Sequence, residues 1–138
     1  MKKILLLLMF PCISNLISAQ DNQQQKIDSV CVLIKKYFNE KNSSQLYVLG
    51  GEIFKNSLSA DAFKTVCDNN LFPLGEIKET VFENYGNGVS RYKAVFSSIN
   101  LSLLLGLDKH DKVEVFLFLN LMLMQMQREI TKYLQQIP

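Results

Sequence analysis

The sequence predicts an α+β domain in which N-terminal helices pack on one face of a curved antiparallel sheet. Apolar residues recur at helical spacing through the first half of the chain, and after Gly75 the pattern switches to the alternation of strands. The length adds a bound: behind an export signal, residues 20–138 suffice for one hydrophobic core and no second domain.

Lys2 and Lys3 precede the apolar run Ile4–Phe10, and the small pair Ser18-Ala19 stands before polar Gln20 and Asp21. This order is that of a secretory signal peptide, residues 1–19, cleaved after Ala19, and it implies a periplasmic or secreted protein. The apolar stretch is interrupted by Pro11, Ser14 and Asn15 and is too short to cross about 30 Å of hydrocarbon, which argues against stable membrane insertion. Cys12 follows Phe10-Pro11 and lacks the small neighbours that precede a lipid-modified cysteine. Without Lys2 and Lys3, thirteen basic and thirteen acidic side chains remain, so the mature chain carries no formal net charge. No Lys/Arg cluster falls on one predicted face, so no nucleic-acid partner is expected. Cys31 and Cys67 remain after cleavage; export permits a disulfide, yet both sit at apolar helix positions that a small buried hydrophobe also suits.

From Gln23 to Glu40, Ile27, Val30, Cys31, Ile34, Tyr37 and Phe38 form an apolar stripe opposite Lys26, Asp28, Lys35, Lys36 and Glu40. Asn42, Ser43 and Ser44 offer capping oxygens for a short helix over Gln45–Leu49, which Gly50-Gly51 ends. Ser59 is an N-cap for a third helix over 60–67, and Asn69-Asn70 and Pro73 should stop it. Ile77, Thr80, Phe82 and Tyr85 then lead to Gly86-Asn87-Gly88, and residues 89–97 alternate in return, the pattern of a β-hairpin. Ile99–Leu107 and Val113–Leu119 read as two further strands around the charged turn at 108–112. The tail from Asn120 has helical character, with no turn separating it from the last strand.

No catalytic, cofactor-binding or metal-binding residue stands out. The single histidine, His110, lies between Lys109 and Asp111 in a polar loop, without the partners that acid–base or zinc chemistry needs. Ser90-Arg91-Tyr92-Lys93 has the S-x-x-K spacing of penicillin-binding serine hydrolases, and Tyr85-Gly86-Asn87 has their Y-x-N element. That chemistry requires the serine to open a helix, with the lysine one turn later beside its hydroxyl. On a strand Ser90 and Lys93 point to opposite faces, and no K-T-G triplet occurs. A phosphate loop, C-x-x-C and H-E-x-x-H are all absent. A curved sheet under helices can enclose an apolar cavity, and Phe63, Phe82, Tyr92, Phe96 and Phe116, with Tyr85 and Phe118 nearby, are its candidate lining.

The runs Tyr37-Phe38 through Phe54, Leu71–Gly75, Tyr92–Phe96 and Lys112–Phe118 give the stretch Lys26–Phe118 a resemblance to a known module. It resembles the N-terminal accessory domain, a family of unknown function, of exported serine hydrolases from Bacteroidetes-type bacteria. That resemblance implies a cone-shaped fold similar to nuclear transport factor 2 and to cystatins. It also implies a catalytic domain of the class C β-lactamase or penicillin-binding type following the module. The pattern departs after Phe118, where a Pro-Tyr pair and a polar linker are expected. Residues 121–138 admit a back-translation whose neighbouring frame, with one preceding C, reads PYVDANAKGNYKVPTTNP. That peptide opens with Pro-Tyr and has a linker's composition. The three methionines within that stretch, each with a single codon, restrict the choice.

The domains are therefore expected as the signal at 1–19, the cone-fold accessory domain at 20–119, and an aberrant tail at 120–138 from a frameshifted or truncated product. The expected role is a non-catalytic accessory or binding one, its partner a small apolar ligand or the hydrolase catalytic domain. Two alternatives remain. A free-standing cavity enzyme of isomerase or dehydratase type would require a buried carboxylate among Glu52, Glu76, Glu79, Glu83 and Glu114, which instead read as solvent-exposed. A homodimerisation module would use the apolar tail.

Overall fold

The computed structural model describes residues 14–136. The lysines and apolar run of the expected signal peptide lie outside the described residues. Helix α1 spans Ser14–Asn39, and so runs continuously through the expected cleavage position. Its buried line Ile27, Cys31, Ile34 and Phe38 follows the i, i+4, i+7, i+11 spacing, each residue 2 % exposed or less. The helix closes in a Schellman motif: the Asn42 N–H donates to the Tyr37 carbonyl at 2.9 Å and the Lys41 N–H to that of Phe38 at 3.0 Å. Lys41 occupies the left-handed position, φ 53°, that glycine usually fills.

Helix α2, Ser43–Val48, starts where Asn42 accepts the Gln45 N–H on its side chain. Gly50-Gly51 ends it because the chain there passes close to its neighbours. A Cβ on Gly50 would collide with the Phe54 ring, and one on Gly51 would lie 2.8 Å from Asp108 Oδ2. The chain then turns into α3, Glu52–Ser57, a helix the apolar pattern does not announce because none of its residues is fully buried. Helix α4, Ala60–Val66, is capped by the Ser59 hydroxyl as the sequence predicts. It does not stop at Asn69-Asn70: a π turn continues over Cys67–Leu71, and Pro73 sits inside a 3₁₀ turn at Phe72–Leu74. Proline is tolerated there because the first residues of a helical turn have no N–H partner to lose.

Four strands follow, β1 (Glu79–Gly86), β2 (Val89–Val95), β3 (Asn100–Leu107) and β4 (Val113–Phe118), in one antiparallel meander of order β1-β2-β3-β4. Asn87 and Gly88, with φ of 53° and 78°, make the two-residue hairpin turn whose twist matches the strands. Phe82↔Tyr92↔Leu103↔Phe118 and Thr80↔Ala94↔Leu101 are cross-strand rows on the face toward α1. Phe38 projects into that face and meets the rings of Phe72, Phe96 and Phe118 edge-on at 5.6, 5.8 and 6.1 Å. The α+β class and the antiparallel meander agree with the sequence expectation. Helix α5, Leu119–Leu134, leaves β4 without an intervening loop, and no side chain caps its start. Among the described residues no helix is long and apolar enough to cross a membrane.

Candidate functional site

The inward face of β2 carries two polar groups, Ser90 and Tyr92, with 0 % and 3 % exposure. Helix α1 brings Gln24 and Asp28, one turn apart, over them. The Tyr92 hydroxyl donates to Asp28 Oδ1 at 2.6 Å, and Gln24 Nε2 donates to the same oxygen at 2.7 Å. Gln24 Nε2 also lies 3.1 Å from the Tyr92 oxygen, and Ser90 Oγ donates to Gln24 Oε1 at 2.7 Å. Burial, followed by the hydrogen bond and charge of Asp28, holds the Tyr92 phenol well above the usual tyrosine range. Tyr92 is therefore a neutral donor, and the four side chains form a closed network that seats α1 on the sheet. The exposed ring of Phe82 covers it edge-on, 5.8 Å from Tyr92.

The S-x-x-K residues separate as strand geometry requires: Ser90 is buried inward and Lys93 is exposed on the opposite face. The hydroxyl of Ser90 is committed to Gln24, and Lys93 is not beside it to act as a base.

The expected cavity-lining aromatics divide among three places. Phe63 and Phe116 share a small apolar cavity with Ile34, Leu46, Leu49, Gly50, Phe54 and Val113. Its volume is about 10 Å³, room for about one water. Phe96 is packed into the Phe38 cluster, while Phe82 and Tyr92 stand at the Gln24–Asp28 network. Phe54 and Phe63 in its lining stack edge-on at 5.4 Å, and Tyr47 packs on both at 5.8–5.9 Å.

A second polar device lies where β1 begins. The Asn39 side chain donates to the Ile77 carbonyl at 3.0 Å and accepts the Ile77 N–H at 2.8 Å, serving as one residue of an added strand. Lys35 Nζ donates to the next carbonyl, Lys78, at 2.7 Å. Neither contact is visible to sequence reasoning, since Asn39 and Ile77 are far apart in the chain and carry no shared motif.

Glu52, Glu76, Glu79 and Glu83 are exposed and Glu114 is half-buried. His110 is exposed in the turn after β3, where its N–H and that of Lys112 donate to Asp108 Oδ1 at 2.7 and 2.9 Å. Cys31 and Cys67 are both buried and unpaired, and burial pushes each thiol up to about 11. Among the described residues no group of three or more His, Cys, Asp or Glu side chains is placed to hold a metal ion. No protein-family description, curated protein or solved structure matches this chain.

Proposed function

We propose that the chain is a non-catalytic accessory domain of the nuclear transport factor 2-like kind, acting by docking, from the front end of an exported serine hydrolase. The observation that carries the docking role is the filled interior. The inward sheet face is occupied by packed rings, the cavity at Phe63 and Phe116 holds about one water, and Ser90 and Tyr92 bond to side chains of α1. Function is then left to the outer surfaces and the strand edges. Docking is preferred over a pocket for a small apolar ligand on the same ground, because drug-sized ligands occupy roughly 300–1,000 Å³. The four-stranded meander with helices α1–α4 is compatible with the cone fold that the resemblance implies.

On this proposal the native domain ends near Phe118, and α5 is the product of a displaced frame that replaced an interdomain linker. Three features of α5 favour that origin: the missing loop, the uncapped start at Phe118, and an apolar stripe facing solvent. The test is the DNA sequence across codons 115–138 and downstream. The proposal expects a neighbouring frame that continues through a polar linker into a domain bearing S-x-x-K, Y-x-N and K-T-G elements. Neighbouring frames that stop early, or that encode no such domain, overturn it.

A further inference from the structure

Along α5, Leu123, Met126, Ile130 and Tyr133 are 61, 56, 55 and 70 % exposed, and Leu134 beside them is 60 % exposed. Their spacing of three, four and three residues is that of the a and d positions of a coiled-coil seam. A seam with that period is complementary to another helix of the same period, and α5 is the described helix that leaves such a stripe uncovered.

We infer that α5 pairs with α5 of a second copy of this chain, forming a two-fold dimer through Leu123, Met126, Ile130 and Tyr133. Complete covering of the exposed parts of these side chains and of Leu134 would bury on the order of 1,000 Å² in a pair, the size of a weak, transient interface. Charge does not oppose the pairing. Of the ionic groups on the helix, Glu129 adjoins the seam and is already bonded to Lys132 of the same helix at 2.9 Å. The remaining neighbour on that turn, Gln127, is uncharged. The pairing follows from the stripe itself and holds whatever the origin of the tail and whatever the function of the domain.

Sedimentation velocity on the full chain tests this, with Ile130→Glu and Tyr133→Lys as separate variants. All three carry the same N-terminal apolar run, so that segment cancels in the comparison. At about 50 µM, a concentration suited to a micromolar dimer, the wild-type chain is expected at twice its 15.8 kDa mass. Dilution should shift it toward monomer. Each variant should be monomeric with an unchanged near-ultraviolet circular dichroism spectrum, since both residues lie outside the core. A wild-type chain that stays monomeric at that concentration, or a dimer that survives in both variants, overturns the inference. So does a monomer that cosediments with phosphatidylglycerol vesicles and loses that property in Ile130→Glu, because the stripe would then belong to a lipid surface.

Discussion

Replacing Asn39 by alanine removes one side chain and orphans two backbone groups. Among the described residues the Ile77 N–H and C=O have no other partner, and Ile77 itself is 1 % exposed. An unsatisfied buried backbone group costs about 1–3 kcal/mol, and half-buried Asn39 leaves water a partial route in. The expected loss is about 2–4 kcal/mol, a large part of the roughly 5–15 kcal/mol available to a domain. Urea unfolding followed by far-ultraviolet circular dichroism should show a lower midpoint at unchanged slope. Asn39→Asp discriminates a bonding role from a volume role, because it keeps the shape and the acceptor but removes the donor. At pH 7 its carboxylate faces the Ile77 carbonyl and should cost about as much as alanine. Protonation restores a donor and an acceptor, so the folded-state pKa of the introduced acid is raised, and the lost stability should return as pH falls toward about 4. Asn39→Ala within about 0.5 kcal/mol of wild type, or Asn39→Asp indistinguishable from wild type at pH 7, would refute the added-strand role.

The other predictions rest on separate parts of the molecule. Phe38→Ala should cost about 3–5 kcal/mol, enough to leave little folded protein at 37 °C, because three rings lose their common neighbour; thermal unfolding checks it. Lys41→Gly should stabilise by about 0.5–1 kcal/mol through relief of the left-handed conformation at the end of α1, measured by the urea midpoint. Cys31 and Cys67, with thiols raised to about 11, should resist iodoacetamide at pH 8 in the native protein and react in urea, as peptide mapping will show. The Lys112 and then the His110 backbone N–H hold the Asp108 carboxyl below its ordinary 3.8, so its contribution is present above that pH and lost as pH falls through the folded value. Asp108→Ala should therefore weaken the 108–112 turn at pH 6, by a margin that shrinks as the pH is lowered through the folded value, read from amide exchange of Lys112.

The parts of the fold legible in the sequence are those with a strong local signal. The stripe of α1, the Ser59 cap, the Asn87-Gly88 hairpin turn and the alternation of β2 each specify their structure within a few residues. Helix α3 was illegible because it buries no residue fully, and so has no periodic apolar face to count. The π turn after α4 was hidden for the opposite reason. Cys67 and Leu71 are both buried, and that tertiary demand keeps the chain winding through Asn69-Asn70, residues that locally favour a stop. Of the candidate site, the sequence offers five aromatic positions as one lining, but their division into three separate places, with Phe82 exposed, was not legible. That division depends on the sheet register and on where α3 packs against β4. Tyr92 was read as an apolar wall, and its bonds to Gln24 and Asp28 join residues more than sixty positions apart.

The fate of Ser90 shows why a motif is decided by its element. In a helix, serine and lysine three apart share a face, and a nucleophile with its base can be built from four residues. On β2 the same four residues send Ser90 and Tyr92 inward and Arg91 and Lys93 outward. The strand then has to satisfy two inward hydroxyls, and α1 supplies an amide and a carboxylate one turn apart to do so. The tyrosine proton is held by Asp28 and the serine proton by Gln24. Of the S-x-x-K pair, Ser90 is thus consumed in holding α1 to the sheet, while Lys93 stands on the outer face. What the strand offers to another molecule is its outer face, where Arg91 and Lys93 stand beside Val81 and Leu104.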